Sequence, residues 1–172
     1  GSSPAVYDGS AFAARGVVFV SMNYRIGRFG FFAHPALTAE TPDGPLGNYG
    51  FLDQLAALQW VKRNAAAFGG DPGNVTIFGQ SGGGSKVVRL MHIPVAKGLF
   101  HKVVAQSGGG LSYRETNAAM NIKTQQMIAA ATLKNLGLDG SQISKLKTVP
   151  YTELIAAGTA ALQSVGQELG RN

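Results

Sequence analysis

The stretch from Asn74 to Ser85 reads Asn-Val-Thr-Ile-Phe-Gly-Gln-Ser-Gly-Gly-Gly-Ser, and it decides the fold. Its first half, Val75 to Phe78, is a short apolar and β-branched run with the composition of a buried strand. Its second half has the spacing Gly-x-Ser-x-Gly, in which a strand turns sharply into a helix and the serine at the apex has a strained backbone. We therefore predict a nucleophile elbow with Ser81 at its apex.

Each glycine of the predicted elbow has a physical reason. Gly79 and Gly83 lie two residues before and two residues after Ser81, where strand and helix pass so closely that a Cβ atom is expected to collide. Gly82 follows the serine at the start of the helix, so its N–H is expected to point where an oxyanion would form.

Two other glycine-rich motifs fail on spacing. A phosphate-binding P-loop needs a lysine where Ser85 stands, and Lys86 comes one residue late. A dinucleotide-binding fingerprint needs a glycine at the position of Ser81. The remaining alternative is a glycine-rich turn with an incidental serine, and the strand before it and the helix after it make that reading less favoured.

The composition indicates one globular domain. With 172 residues the chain is long enough for a core, and with 45% apolar and 14% charged residues it is not of the disordered type. The net charge of +6 is dispersed, without basic runs or interleaved aromatic residues, so no nucleic-acid partner is predicted. The absence of cysteine excludes a disulfide framework and a cysteine-based metal site. No apolar run approaches the ~18 residues of a membrane span.

Strands and helices alternate along the first two thirds of the chain. The predicted elements are a strand at Val17 to Met22, buried on both faces, a helix over residues 50–68 ended by Gly69 to Pro72, the elbow strand, a helix over residues 82–92 and a strand at Lys102 to Ser107. This order predicts an α/β fold with a mostly parallel sheet. Within one domain, residues 5–113 would form the sheet core with the elbow, and residues 114–172 a helical, lid-like region over the sheet.

Several motifs, in order, resemble type B carboxylesterases, the α/β-hydrolase family that includes cholinesterases and bacterial p-nitrobenzyl esterases. The motifs are Asn23-Tyr24-Arg25-Ile26-Gly27, Gly47-Asn48-Tyr49-Gly50-Phe51-Leu52-Asp53-Gln54, Ala57-Leu58-Gln59-Trp60-Val61, Phe68-Gly69-Gly70-Asp71-Pro72, the elbow and Gln106-Ser107-Gly108. The elbow departs from the family's usual Gly-Glu-Ser-Ala-Gly, because Gln80 replaces a glutamate and Gly82 an alanine. The resemblance implies that this chain is a central part of one α/β-hydrolase domain.

The resemblance also implies an activity, namely hydrolysis of small uncharged carboxylic esters through an acyl-enzyme. Ser81 would be the nucleophile and the Gly82 N–H an oxyanion donor. Ser107 would support the catalytic acid through a hydrogen bond, although a serine that caps its own turn fits the sequence equally well. No cofactor and no metal are implied.

Four further residues take their expected roles from the resemblance alone. Arg25 and Asp53 would form a mostly buried ion pair that ties the loop after the first strand to the following helix. Breaking a buried pair costs on the order of 3–5 kcal/mol. Leu111 and Tyr113 follow the Ser107 turn, where the family has acyl-pocket residues.

None of the three histidines fits the role of the catalytic base. The chain order serine, acid, histidine excludes His34. His92 lies on the helix that follows Ser81, roughly 15 Å of helical rise away, and His101 starts a strand at the edge away from the site. The resemblance therefore implies that a His-Gly-Gly-Gly oxyanion segment precedes residue 1 and that the acid and the histidine follow residue 172. The expected partners are the remainder of the hydrolase polypeptide and a small-molecule ester.

The alternative function is a catalytically inactive, cholinesterase-like adhesion or scaffold protein. Such proteins typically lose the elbow serine, so Ser81 with both flanking glycines favours the enzyme. The sequence does not separate acyl-chain, phenolic and lactone substrates, and it leaves the cellular compartment open.

Overall fold

A computed structural model describes residues 5–40, 47–108 and 121–170. The described helices and strands are α1 (Ser10–Ala13), α2 (Gly27–Gly30), α3 (Pro35–Glu40), α4 (Tyr49–Asn64), β1 (Thr76–Gln80), α5 (Gly82–Leu90), β2 (Lys102–Gln106), α6 (Ile122–Asn135) and α7 (Tyr151–Glu168), with 3₁₀ helices at Ala5–Tyr7, Ala65–Phe68, Pro94–Ala96 and Gly140–Lys147. The chain forms two compact units, residues 1–24 with 52–113 and residues 25–51 with 114–172. The division at about residue 113 that the sequence suggests stays a prediction.

The sheet of the first unit consists of two parallel strands in the described residues. β1 pairs with β2 in register, from Thr76 opposite Lys102 to Gln80 opposite Gln106. Parallel strands need a crossover connection, and α5 with the 3₁₀ helix at Pro94–Ala96 supplies it. Leu55 of α4, Leu90 of α5 and Ala96 form the buried core beside the sheet. The predicted parallel α/β architecture is confirmed.

The helix predicted over residues 50–68 is α4 followed by the 3₁₀ helix at Ala65–Phe68, and this helical segment ends at Gly69 as predicted. Gly69 adopts the left-handed conformation, with φ of 79°, that commonly ends a helix. Leu55 and Ala65 are buried, whereas Phe68 is 61% exposed and its ring centroid lies 5.8 Å from that of Trp60.

The first predicted strand, Val17 to Met22, does not form a strand in the described part of the chain. Val17 is 49% exposed and Val18 is 41% exposed, so the expectation of burial on both faces is also wrong. Phe19 instead stacks on Phe12, with ring centroids 5.5 Å apart. β-branched composition favours extended backbone, but a strand also needs ladder hydrogen bonds from a neighbouring strand, and composition does not supply that neighbour.

The second unit is built mainly from helices, as predicted for the C-terminal part. Asn135 at the end of α6 donates a hydrogen bond of 3.0 Å from Nδ2 to the carbonyl oxygen of Ala157 on α7. Phe32, Ala129 and Leu133 belong to its buried core. Helix α7 spans Tyr151–Glu168, within the predicted helical region. The lid-like placement of these helices stays a prediction.

Candidate functional site

The elbow backbone has the strained geometry that the Gly-x-Ser-x-Gly spacing predicts. β1 ends at Gln80 and α5 begins at Gly82, with Ser81 between them at φ 54° and ψ −119°. A positive φ is uncommon for a residue with a side chain. The Ser81 N–H donates to the carbonyl oxygen of Gln106 over 2.8 Å, and the Ser81 carbonyl oxygen accepts from the Ser85 N–H over 3.0 Å. Neighbouring backbone therefore holds this conformation, while the serine itself is exposed.

The steric argument for the elbow glycines is confirmed at Gly79 and wrong at Gly83. A Cβ atom on Gly79 would lie 2.4 Å from the carbonyl carbon of Gly83, whereas a Cβ on Gly83 would meet no described atom within 4 Å beyond the backbone of its own helix. Strand β1 is thus crowded by the helix at Gly79. At Gly83 the direction in which a Cβ would extend points away from this contact.

Two glycines that the sequence did not single out carry the other close approaches. A Cβ on Gly84 would lie 2.9 Å from the carbonyl oxygen of Gln106, and one on Gly108 would lie 2.2 Å from the carbonyl oxygen of Ser81. Both glycines lie in runs of three glycines, and these runs are visible in the sequence. The sequence does not show which glycine of a run packs against neighbouring backbone, because that depends on how the strands pair.

Ser107 directly follows β2 as Ser81 directly follows β1. Gln80 and Gln106 are opposite each other in the ladder, so the next residues of the two parallel strands lie at the same sheet edge. Among the described residues, Ser81 and Ser107 are the non-glycine residues with positive φ, 54° and 49°. The sheet therefore brings both predicted serines to one edge, whereas the support of a catalytic acid by Ser107 stays a prediction.

The first N–H groups of α5 are directed toward the elbow. Gly82 is the first residue of α5 and is exposed. The N–H groups of the first turn have no acceptor within their own helix and can donate to a ligand. The geometry at Gly82 is thus compatible with an oxyanion donor.

Lys86 is a residue near the elbow that sequence reasoning missed. Its Nζ lies 3.3 Å from the Gly82 carbonyl oxygen and 5.5 Å from the centroid of the Tyr24 ring. Sequence reasoning considered Lys86 only as the misplaced lysine of a P-loop, because the proximity of Tyr24 to α5 is a tertiary contact.

All three histidine rings contact nearby backbone, as expected for structural residues. The Nδ1 atom of His92 lies 3.0 Å from the Val88 carbonyl oxygen. The Nδ1 atom of His101 accepts from the Val75 N–H over 3.1 Å, and that of His34 accepts from the Ala36 N–H over 3.1 Å.

The half-buried imidazole of His34 should make the free energy of unfolding depend on pH. Burial lowers the pKa of its imidazole. The folded state therefore holds fewer protons on this ring, and its contribution to stability is lost as pH falls from the unfolded pKa of about 6.5 through the lower folded pKa. We expect His34→Asn, whose amide oxygen can accept the Ala36 N–H, to lose less stability than the wild type between about pH 7.5 and about pH 5 in urea titrations. An equal loss in both proteins would contradict this expectation.

Arg25 and Asp53, the predicted ion pair, are less buried than the sequence predicts. Arg25 is exposed and Asp53 is half-buried, so the expectation of a mostly buried pair is wrong. The Arg25 guanidinium lies 5.9 Å from the centroid of the Tyr49 ring. An exposed pair contributes about 0.2–1 kcal/mol, well below the cost expected for a buried one. The ion pair itself stays a prediction.

Leu111 and Tyr113, the predicted acyl-pocket residues, lie outside the described residues. A cavity of about 610 Å³ lies at the C-terminal end of α5, lined by Leu90, His92, Lys97 and Phe100 among others, and thus away from Ser81. The part of the chain that the structure describes holds no cluster of three or more histidine or acidic side chains suited to a metal ion. None of the described helices has the length and apolar character of a membrane span.

Comparison with known proteins identifies relatives over almost the whole chain. Residues 1–169 match the model of a family described as "Carboxylesterase family". Para-nitrobenzyl esterase of Bacillus subtilis (strain 168) is 44% identical over 158 residues, which are 91% of this chain and 30% of that protein. Fumonisin B1 esterase of Sphingopyxis macrogoltabida is 52% identical over 111 residues, which are 63% of this chain and 21% of that protein.

The solved structures agree with the sequence relatives. A thermophilic p-nitrobenzyl esterase superposes with a TM-score of 0.77 at 40% identity, covering 99% of this chain and 32% of that one. An esterase from the anaerobe Clostridium hathewayi, described as hydrolysing aliphatic aromatic polyesters, superposes with a TM-score of 0.76 at 40% identity, covering 96% of this chain and 32% of that one. The chain spans about a third or less of the length of these relatives.

Proposed function

Because this chain belongs to the carboxylesterase family, we propose that the protein carrying it is a serine carboxylester hydrolase acting on small uncharged esters. The observation that carries the proposal is the backbone of Ser81, held at φ 54° between a strand and a helix with its side chain exposed. Strain of this kind persists only where the surroundings enforce it, and it is concentrated at functional sites. Gly79 also supports the proposal, because the backbone of Gly83 leaves no room for a Cβ atom at this position of the turn.

The proposed chemistry has two steps. The Ser81 Oγ attacks the ester carbonyl carbon while a base takes its proton, and the resulting oxyanion accepts a hydrogen bond from the Gly82 N–H. The tetrahedral intermediate expels the alcohol, which leaves with the proton, and an acyl-enzyme remains. Water then attacks the acyl carbon by the same route and releases the carboxylic acid and free Ser81.

We assign the base and its orienting acid to residues beyond this chain. His92 and His101 each bind backbone through Nδ1, and neither contact involves the elbow. A base must lie within hydrogen-bond reach of the nucleophile in the substrate complex. In this proposal the remainder of the hydrolase polypeptide supplies a histidine and an acid, and Ser107, at the same sheet edge as Ser81, supports the acid.

The inactive scaffold alternative is not favoured. A protein that uses the fold only for adhesion has no need for an exposed serine with φ of 54°, which costs of order 1–3 kcal/mol. Replacement of Ser81 by a less constrained residue would then have improved stability at no functional cost.

Covalent labelling tests the proposal directly. We expect a fluorophosphonate probe to modify Ser81 in the native protein and not in the heat-denatured protein, because only an activated serine reacts quickly. Peptide mass spectrometry locates the label, and intact mass identifies the labelled species. Labelling of a different serine would contradict the assignment of the nucleophile. Ester hydrolysis by the 17.9 kDa chain alone would instead contradict the external base, and His92 or His101 would have to be reconsidered.

A further inference from the structure

The Lys86 ammonium group is held beside the elbow by two contacts. Its Nζ donates to the carbonyl oxygen of Gly82 over 3.3 Å. It also lies 5.5 Å from the centroid of the Tyr24 ring, within the range of a cation–π interaction. The lysine is half-buried, so its charge stays near the elbow rather than extending into bulk solvent.

The distance from this charge to the proposed oxyanion donor follows from the geometry of Gly82. A Cβ atom on Gly82 would lie 3.6 Å from the Lys86 Nζ. In standard geometry a Cβ and the nitrogen on the same Cα are about 2.5 Å apart, so the ammonium lies within about 6 Å of the Gly82 nitrogen. A substituent on an ester bound at Ser81 can therefore reach the charge.

Helix stability does not account for a lysine at this position. The N-terminal end of a helix carries partial positive charge, which disfavours a nearby cation, and the first turn of α5 contains no acidic residue. Lys86 forms no ion pair with a carboxylate within the described ranges. Gln80, immediately before the serine, is neutral. Among the described residues, no carboxylate therefore compensates the positive charge of Lys86 beside the elbow.

We propose that Lys86 is a specificity-determining residue that binds a carboxylate on the substrate. It widens the substrate class from small uncharged esters to esters that carry a carboxylate near the scissile bond. The inference rests on the proposed function, because that function is what brings an ester to Ser81. For opposite charges about 6 Å apart near a protein surface, the Coulomb attraction corresponds to a preference of about a hundredfold, which screening at physiological ionic strength lowers to about tenfold.

The test compares esters that differ in charge. The first pair is 4-acetoxybenzoate and 4-acetoxybenzamide, with the charge on the alcohol side. The second is the mono-p-nitrophenyl ester of adipic acid and p-nitrophenyl hexanoate, with the charge on the acyl side. For each pair the ratio of kcat/KM, anionic over neutral, is measured in the active protein that carries this chain, so that the intrinsic reactivity of the esters cancels between variants.

The variants separate local charge from net charge. Lys86→Met removes the ammonium and keeps an apolar stem, and Lys86→Arg keeps the charge. Lys102→Met is the matched control, because Lys102 begins β2, opposite Thr76 and four ladder positions from Gln106, about 13 Å from the elbow edge. Its Nζ binds the Asn74 side chain over 2.8 Å. All three variants are checked by circular dichroism.

We expect Lys86→Met to lower the anionic preference about tenfold in at least one ester pair, while Lys86→Arg and Lys102→Met stay within about twofold of the wild type. High salt should reduce the wild-type preference and leave that of Lys86→Met nearly unchanged. If the wild type hydrolyses only the neutral ester of each pair, if Lys86→Met keeps the wild-type ratio in both pairs, or if Lys102→Met lowers that ratio as much as Lys86→Met does, the inference about Lys86 is overturned and the proposed function stands. If the wild type hydrolyses no ester of either pair, the proposed function fails and the inference fails with it.

Discussion

We expect Ser81→Ala to lower kcat for a short-chain p-nitrophenyl ester by on the order of 10⁶, because removal of a triad nucleophile removes the covalent step. Ser81 is exposed at the end of a strand with φ of 54°, and its backbone is held by hydrogen bonds to Gln106 and Ser85. Those contacts use main-chain atoms, so alanine keeps them. The circular dichroism spectrum and the unfolding midpoint should therefore stay close to those of the wild type. The rate is measured in the active protein that carries this chain.

Ser85→Ala is the matched control for this prediction. Ser85 lies one helical turn after Ser81, and its backbone N–H donates to the Ser81 carbonyl oxygen, a hydrogen bond that alanine also makes. We expect this variant to keep kcat within about tenfold of the wild type, since it removes a hydroxyl that takes no part in the proposed chemistry. Retention of a tenth of wild-type kcat by Ser81→Ala would show that Ser81 is not the nucleophile.

Gly79→Ala is expected to destabilise the elbow by about 3 kcal/mol or more, because overpacking against atoms that cannot move is costly. The added Cβ would lie 2.4 Å from the carbonyl carbon of Gly83 and 2.5 Å from its carbonyl oxygen. Both are backbone atoms of the first turn of α5, so no side-chain rotation relieves the collision. The strand and the helix would have to move apart, which also displaces Ser81, and esterase activity should fall together with stability.

The matched control is Gly82→Ala, three residues away in the same turn. A Cβ at Gly82 would meet the Lys86 Nζ at 3.6 Å, an ordinary contact with a flexible side chain. Alanine in place of glycine in a helix stabilises by up to about 1 kcal/mol, so this variant should be at least as stable as the wild type. Urea unfolding of the two variants measures the contrast. Equal stabilities for Gly79→Ala and Gly82→Ala would mean that the elbow is not crowded at Gly79.

Features that depend on neighbouring residues in the chain are predicted well from this sequence. The motif around Ser81 specifies strand, turn and helix within a few residues, and the structure has them at Thr76–Gln80 and Gly82–Leu90. Gly69 ends a helical segment because glycine readily adopts a positive φ, and the structure has the left-handed conformation there. Local patterns suffice in these cases because backbone dihedrals and helix periodicity depend on residues within about a turn.

What depends on contacts distant in sequence was decided only by the tertiary structure. Val17 to Met22 has the composition of a buried strand, yet it forms no strand in the described residues, because a ladder requires a second strand that composition does not provide. Gly84 and Gly108, rather than Gly83, must lack a Cβ, since the backbone of β2 and the elbow approaches them. Lys86 became a candidate for substrate recognition only because Tyr24, distant in sequence, packs beside α5 and holds the ammonium group near Gly82.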